Sequence, residues 1–597
     1  MAFDGLVLFA IKDELEKLLV GGRVEKVYQP AREELVVLIR RAGRTHRLLI
    51  SAAADHPRVH LTEETRENPA TPPAFCMIVR KYLTGGRVVS LEQPDLERVL
   101  RITVDTVTEL GEQTQKVLVA EIMGKHSNII LLDPARGVIL DGIKRYTHAV
   151  SRYREVIPGR PYLPPPAQGK VNPLTLNDVD MLRQAIYRPP FEAVLADRLF
   201  QSLAGFSPEM GREIMFRTGL PQGIRMEECG DYELSLLWSV LSTLVRTAAD
   251  GSFGPCVVWD AGRPVSFSMT PLTQYASLTL EAVQSVNQAV DLFYQAQRGN
   301  AAFTRQQGAL TRIVRAAQEH CQRKTSSLEE ELADAREKMR FRLLGELLTA
   351  NLHAIKPGSS EALLMNFYEP DAPVISIELD PSLTPAENAQ AYFRRYNKAR
   401  VRLETTGGYL KQTQEEAFYL EGLLNSIEQA QQIEDLQDIK EELASQGYAK
   451  KEPGSGRGKS GLGRTKAARE SSPRRYASGS GFEILVGRNN RQNDYLTTKL
   501  ARDHDLWLHA KDTPGSHVIV RTEGRPVPPE TLEKAAILAA YFSRARNSTS
   551  VPVDYTDRKN VWKPKGGRPG MVLYEKQKTV FINPDAGKVA GITIQEP

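Results

Sequence analysis

Cysteine is scarce in this sequence and never closely paired: Cys76, Cys229, Cys256 and Cys321 are its four, with no Cys-x-x-Cys among them. That argues against a zinc ribbon or a disulfide framework and fits a reducing cytosol. Long apolar runs are missing as well, and none reaches the ~18 residues that mark a membrane span. The opening Met-Ala-Phe-Asp-Gly has no basic stretch followed by an apolar one, so no secretory signal is expected and the predicted location is cytoplasmic. Enzyme signatures are equally thin. There is no Gly-x-Ser-x-Gly elbow, and Asp512, Ser516 and His517 lie too close along one turn and strand to converge into a triad. His504, His509 and His517 match no zinc spacing. The glycine-rich loop Lys563-Pro564-Lys565-Gly566-Gly567-Arg568-Pro569-Gly570 lacks the Gly-Lys-Ser/Thr ending of a nucleotide-phosphate loop. No metal, cofactor or catalytic residue is expected.

What is present is an ordinary soluble composition, 41% hydrophobic and 25% charged, over 597 residues. At ~150 residues per domain, about four domains are expected. The net charge of +5 hides a division. From Lys450 onward there are 27 Lys and Arg against 15 Asp and Glu, whereas the first 449 residues carry 51 against 58. A basic C-terminal quarter on a mildly acidic body points that end toward a polyanion.

The patterning divides the chain further. Residues 1–175 mix helices with short strands. Ile11, Leu15, Leu18 and Leu19 share a helical face that Gly21-Gly22 ends, and strands are predicted at 34–39, 46–50, 99–104, 116–120 and 128–132. This is an α+β pattern rather than a dinucleotide fold. Residues 176–280 begin with short helices, and Ser207-Pro208 is an N-cap and first-turn pair for a helix at 209–217. Two helices joined by a glycine turn suit either phosphate contact through backbone amides or plain helix packing. Over 281–449, Leu310, Val314, Ala317, Cys321, Leu328 and Ala335 follow 4–3–4–7–7 spacing. A second stripe of Ala417, Leu420, Leu424 and Ile427 shifts register to Ile433 and Leu436. Together they predict an antiparallel coiled coil with a small strand-containing head. Residues 450–480, rich in Gly, Ser, Lys and Arg, read as a flexible basic linker, and 481–597 as a further α+β domain.

Four places carry candidate chemistry. The densest is 489–521, where Trp507, His509, Lys511 and His517 surround a Pro514-Gly515 turn. The basic loop at Lys563, Lys565 and Arg568 suits a nucleic-acid phosphate or is a solvated turn, and Arg544 and Arg546 strengthen the first reading if they share its face. In the N-terminal domain, Glu121-Ile122-Met123 runs into Gly124-Lys125. That is an apolar platform beside a cation, or a buried pair ahead of a surface turn, which the local sequence favours. Glu97-Arg98 precedes a strand and locally reads as an exposed ion pair, worth under ~1 kcal/mol.

Taken together, these segments resemble one family, the NFACT proteins, over nearly the whole chain and in the family's order. The segments that carry the likeness are Asn489-Asn490-x-Gln492-Asn493-Asp494-Tyr495, Trp507-Leu508-His509, Pro514-Gly515-Ser516-His517-Val518, Ala539-Ala540-Tyr541-Phe542-Ser543 and Val551-Pro552-Val553-Asp554-Tyr555. The resemblance implies a multidomain α+β protein. Its parts would be a glycosylase-like N-terminal domain, a helix-hairpin-helix region, a long antiparallel coiled coil and a C-terminal NFACT-R RNA-binding domain. It implies a ribosome-associated quality control factor that binds stalled large ribosomal subunits carrying peptidyl-tRNA. Such a factor recruits alanyl-tRNA, alongside an RqcP-like factor, so that an alanine tail marks the nascent chain for degradation. Peptidyl transfer would belong to the ribosome, making the protein a tRNA-positioning factor rather than an enzyme.

By position, the family's Asp-Arg pair falls at Glu97-Arg98, with Glu in place of Asp, and its Glu-Ile-Met motif at Glu121, Ile122 and Met123. The resemblance assigns both to tRNA handling, with Lys125 beside them. Trp507, His509, Lys511, His517, Arg544, Arg546, Lys563, Lys565 and Arg568 are the expected RNA contacts of the C-terminal domain. An older family name suggests a fibronectin-binding adhesin, which the missing signal and disulfides oppose. A DNA glycosylase would need an N-terminal proline, whereas this chain begins Met1-Ala2-Phe3.

Overall fold

In the computed structural model, residues 3–108, 110–149, 153–450, 472–590 and 592–594 are described. The chain divides into two units, Met1–Ala301 and Ala302–Pro597.

The first unit is built on a nine-stranded sheet in the order β4-β3-β2-β1-β5-β6-β7-β8-β9. Its strands are β1 (Arg23–Ala31), β2 (Glu34–Arg41), β3 (Arg44–Ser51), β4 (Arg58–Leu61), β5 (Arg87–Glu92), β6 (Val99–Val107), β7 (Gln113–Glu121), β8 (Asn128–Asp133) and β9 (Val138–Gly142). The five strands expected from the sequence are all present. The other four are β1, β4, β5 and β9. β8 is nearly continuous in apolar residues because it is covered on both faces. Ile129 and Leu131 join the main core, while Ile130 packs with Val99, Val119 and Ile139 on the other side. Helix α1 (Gly5–Leu19) lies on the sheet and buries Leu8, Ile11, Leu15 and Leu19, whereas Leu18, expected on the same face, is 39% exposed, a correction to that stripe. α2 (Ala74–Leu83) buries Phe75, Cys76, Val79 and Leu83 in the same core.

Four helices follow: α3 (Val179–Ile186), α4 (Leu195–Ser202), α5 (Pro208–Thr218) and α6 (Asp231–Ala249). α5 starts as its sequence dictates, with the Ser207 hydroxyl accepting from the Met210 amide and Pro208 in the first turn. A small sheet of β10 (Cys256–Asp260), β11 (Arg263–Ser268) and β12 (Thr279–Ala282) closes the unit. Helix α7 (Val286–Lys338) begins here, its first amides capped by Glu14, which accepts from Val286 and Asn287 at 2.6 and 3.1 Å.

In the second unit, α7 runs antiparallel to α9 (Pro385–Gln429). The Gln307 amide donates to the Ile427 carbonyl at 2.9 Å, and Glu331 pairs with Arg402 at 3.3 Å. A head of α8 (Phe341–Ala350), β13 (Glu361–Met365) and β14 (Val374–Glu378) separates them. Leu310, Val314, Cys321 and Ala335 are buried as their spacing requires, with Ala317 and Leu328 half-buried. The second stripe needs correction at one point. α9 stops at Gln429 and a new helix, α10 (Ile433–Ser445), begins, so Ile433 opens that helix, 39% exposed, while Leu436, Ile439 and Leu443 face the core.

The C-terminal domain holds a sheet in the order β22-β19-β17-β18-β16-β15-β23. Its strands are β15 (Arg474–Ala477), β16 (Glu483–Val486), β17 (Leu506–Ala510), β18 (Val518–Val520), β19 (Val551–Asp557), β22 (Lys578–Ile582) and β23 (Thr593–Ile594). A short ribbon of β20 (Val561–Trp562) and β21 (Leu573–Tyr574) flanks it. Helix α11 (Asn490–Tyr495) is capped by Asn489, and α12 (Pro529–Tyr541) covers one face of the sheet. The short helix α13 (Ala586–Ala590) precedes β23. The linker expected over 450–480 is corrected at its end, because Arg474–Ala477 pairs with β16. Residues 451–471 of that linker lie outside the described residues.

Candidate functional site

A cleft of about 240 Å³ opens where the start of α1, the loop before β6 and the turn between α4 and α5 meet. Its shape depends on two glycines. A side chain on Gly5 would overlap the Leu96 carbonyl oxygen and the Gly205 Cα. Gly205 itself has φ +80°, a conformation glycine adopts without strain. The Gly205 carbonyl accepts from the Leu6 amide at 3.1 Å, joining the helical turn to α1. On the third wall, Asp95 and Leu96 are both left-handed, with φ +41° and +56°. Each costs roughly 1–3 kcal/mol in a non-glycine residue and persists because the surroundings fix it. Gln93 does part of that fixing, donating to Gly5 and Glu97 carbonyls at 2.8 and 2.9 Å. The strained turn delivers Glu97 and Arg98 into the cleft.

Four further side chains face them: Asp4, Lys170, Phe200 and Ser207. Asp4 caps α1 by accepting from the Val7 amide at 2.9 Å and also accepts from the Ser207 hydroxyl at 2.7 Å. Burial raises its carboxyl to about 6 despite those two donors. Burial likewise lowers Arg98 and Lys170, which Asp4 and Glu97 respectively counteract. Lys170 lies 4.5 Å above the Phe200 ring, which supports its charge on an aromatic face. Two cations, an aromatic ring and two carboxylates can take a phosphate beside a base or ribose. The sequence reading found Glu97 and Arg98 but missed Lys170 and Phe200, which sit in no recognisable pattern. Asp4 was missed as well, its capping role becoming visible only with the start of α1.

The second motif adjoins the first through the sheet. β6 and β7 pair Val99 with Glu121, and the Ile122 amide donates to the Arg98 carbonyl at 2.8 Å. Glu121 and Ile122 are both fully buried. Glu121 accepts two bonds from Arg154, at 2.6 and 2.5 Å, and one from the Tyr162 hydroxyl at 2.9 Å. It thus anchors the segment after β9. The apolar platform expected of Ile122 is not on the surface, and this is a correction: Met123 is half-buried, and only Lys125 and His126 are exposed. The alternative of a buried pair ahead of a surface turn describes the geometry.

In the C-terminal domain the expected RNA contacts fall into three groups. Trp507 and His517 are buried and His509 is half-buried, a correction to their expected place on the surface. Trp507 stacks on His509 at 5.8 Å, and His517 meets both edge-on. Burial lowers His509 to about 4 and holds His517 well below its ordinary value, so both rings stay neutral. Lys563, Arg568 and Arg544 are engaged within the unit. Lys563 pairs with Asp494, Arg544 with Glu421, and Arg568 with Glu416 at 3.5 Å while donating to the Tyr448 hydroxyl at 2.6 Å. Lys511, Arg546 and Lys565 are exposed, Arg546 lying 5.1 Å over the Tyr541 ring. Among the described residues, no helix is long and apolar enough to cross a membrane.

A family model described as NFACT N-terminal and middle domains matches residues 4–460, and one described as NFACT protein RNA binding domain matches residues 473–575. The chain is 36% identical over 593 residues to the Rqc2 homolog RqcH of Bacillus subtilis (strain 168), covering 99% of both chains. It is 35% identical over 594 residues to the RqcH of Streptococcus pneumoniae D39, covering 99% of this chain and 100% of that one. Among solved structures, the N-terminal part of the fibronectin/fibrinogen-binding protein from Streptococcus suis covers 49% of this chain, with 99% of its own length matched, at 29% identity and a TM-score of 0.41. The C-terminal part of the same protein covers 49% of this chain, with 99% of its own length matched, at 32% identity and a TM-score of 0.37.

Proposed function

Because the chain belongs to the NFACT family, we propose that it acts in ribosome-associated quality control by holding tRNA on a stalled large ribosomal subunit. In this reading it binds the subunit that still carries peptidyl-tRNA and recruits alanyl-tRNA, with an RqcP-like factor as a further partner. The nascent chain then gains a C-terminal alanine tail that marks it for degradation. The ribosome performs peptidyl transfer, and this protein positions the substrate.

One observation supports the reading above the others. In a chain that matches RqcH relatives end to end, Arg98 and Ile122 are neighbours through a backbone bond, beside a cleft that also holds Lys170 and Phe200. Arg98 and Lys170 are the phosphate contacts of this reading, with Phe200 and Met123 available to a base or ribose. Glu121 and Ile122 act from beneath as positioning residues, holding the strand end that carries Met123 and Lys125. Glu97 keeps the charge of the family's aspartate with a longer reach. The antiparallel α7–α9 hairpin is read as a coiled-coil arm that docks on the subunit. The N-terminal domain is read as glycosylase-like in fold without the reaction. Lys511, Arg546 and Lys565 are the C-terminal cations best placed for RNA phosphate.

The test is to purify the protein from its own cells and sequence the RNA that comes with it. Alanine tRNA together with large-subunit RNA, both enriched over total RNA, is the expected result. Recovery of no RNA above background overturns the reading.

A further inference from the structure

A second, larger cleft of about 830 Å³ lies between α9 and the C-terminal sheet. One wall carries the partly exposed rings of His509, on the sheet, and Tyr574, on the β20–β21 ribbon, and the fully buried Trp507 backs both, 5.8 Å from His509 and 4.8 Å from Tyr574. Tyr574 is fixed in place, because its hydroxyl donates to Asp554 at 2.9 Å and Asp554 is itself buried and bonded to Thr579. From the α9 side comes Phe418, 48% exposed. Lys411 and Lys565, both exposed, also line the cleft. The Trp507 indole N–H is buried without a hydrogen-bond partner among the described residues.

These features select a ligand class. The histidines of the wall stay neutral at physiological pH, so the floor offers stacking surface and hydrogen bonds rather than charge. Aromatic faces on two sides of a cleft suit a planar heterocycle. Lys411, Lys565 and Arg568 bring positive charge, Arg568 already paired with Glu416, while Glu415 and Asp512 are the carboxylates of the lining; the two exposed lysines suit phosphates attached to that heterocycle. Single-stranded nucleic acid is held in this way, bases on aromatic faces and backbone along cations. Its volume lies within the range of ~300–1,000 Å³ usual for ligand sites.

We propose that this cleft receives one unpaired nucleobase of an RNA strand, stacked between Phe418 and the partly exposed rings of His509 and Tyr574, with the flanking phosphates on Lys411 and Lys565. The proposal deepens the reading of the C-terminal domain as RNA-binding and adds a site to it, on residues that the family motifs do not mark as a set. A free mononucleotide offers the same heterocycle, and the two lysines favour a strand with phosphates on both sides.

The test uses the full chain and three probes: a single-stranded hexaribonucleotide with a central 2-aminopurine, the same strand with an abasic centre, and AMP. The base-bearing strand is expected to bind roughly tenfold or more tighter than the abasic one, the scale of one base–aromatic stack, with its fluorescence quenched. Phe418→Ala is expected to erase that difference without lowering the melting temperature, because the ring is a surface group, and Phe418→Tyr to restore it. Equal affinity for the two strands overturns the proposal, as does an unchanged preference in Phe418→Ala. AMP binding as tightly as the strand overturns RNA as the source. Loss of ribosomal RNA from the cellular purification with the base preference intact strikes the function reading alone.

Discussion

The backbone N–H of Ile122 donates to the carbonyl of Arg98 across 2.8 Å, so the ends of two adjacent strands, β6 and β7, are tied where each leaves the sheet. Arg98 lines the cleft on one side of that bond, and Glu121 and Ile122 are packed on the other. Glu121, locked by Arg154 and Tyr162, belongs to the packed side. Arg98 belongs to the other, among Lys170, Phe200 and Asp4.

Arg98→Ala and Lys170→Ala should therefore weaken tRNA binding and leave the fold intact. Loss of one charge-assisted contact is worth about 1.5–3 kcal/mol, roughly a ten- to hundredfold change in affinity. Fluorescence-labelled alanine tRNA titrated against the two variants measures it. Sedimentation with large subunits should be nearly unchanged, since the α7–α9 arm is untouched. Equal loss of tRNA and subunit binding would refute that division of labour. Glu121→Gln should behave differently: it halves a buried bidentate pair and should lower the melting temperature before it touches binding.

How much of this was legible in the sequence differs by site. Periodicity located five strands, the capped start of α5 and the two long helices, because those elements bury one continuous face. It failed at Ile433, where α9 ends and α10 starts afresh. An apolar residue at a helix start obeys the new helix rather than the old stripe. The Glu97-Arg98 and Glu121-Met123 motifs were visible as strings, but their juxtaposition needed the β6–β7 register. Lys170 and Phe200 left no trace, since a loop cation over a ring on helix α4 has no local spacing. The same holds for the basic C-terminal residues. Composition counts Arg544, Lys563 and Arg568 as polyanion-facing, whereas geometry pairs them with Glu421, Asp494 and Glu416.

Gly5 and Gly205 test the construction of the cleft. Gly5→Ala places a methyl against the Leu96 carbonyl and the Gly205 backbone, neither of which can yield without separating α1 from the α4–α5 turn. Overpacking of this kind costs about 1–3 kcal/mol. Urea denaturation should show that loss, and tRNA affinity should fall in the same variant because Arg98 shares the displaced wall. Gly22→Ala offers a comparison, as its clash is mainly with the Ile39 side chain and the Leu19 carbonyl, away from the cleft. It should lose stability without losing affinity.

Asp4 gives the cleft a pH signature. Burial raises its carboxyl from 3.8 to about 6 in the folded protein, so the native state holds a proton that the unfolded chain has released. Its contribution to stability is complete below pH 3.8 and is lost as the pH rises through about 6. Asp4→Asn keeps an acceptor for the Val7 amide and removes the charge. The variant should match the wild type near pH 4 and exceed it above pH 6, by on the order of 2–3 kcal/mol. Parallel stability curves across that range would show that Asp4 ionises freely.

Glu442 presents the same physics in the second unit, at the packing of α10 against the C-terminal domain. It is fully buried, and its Oε1 accepts from the Tyr419 hydroxyl at 2.7 Å and the Asn490 amide at 3.1 Å. Its Oε2 has no partner among the described residues. A carboxylate would leave that oxygen charged and unsatisfied, whereas a protonated carboxyl makes it a hydroxyl of lower desolvation cost. Burial accordingly raises Glu442 from 4.5 to about 7, against the pull of Tyr419 and Asn490. Its stabilising effect is complete below pH 4.5 and fades as the pH passes 7. Glu442→Gln retains the Oε1 acceptor and carries no charge, so it should equal the wild type at pH 5 and surpass it at pH 8. Hydrogen exchange read on α10 and on the strand pair β17–β18 measures the difference locally. Slower exchange of the variant at pH 8, with identical rates at pH 5, is the expected pattern. Identical rates at both would mean that Glu442 is ionised throughout and that α10 tolerates the charge.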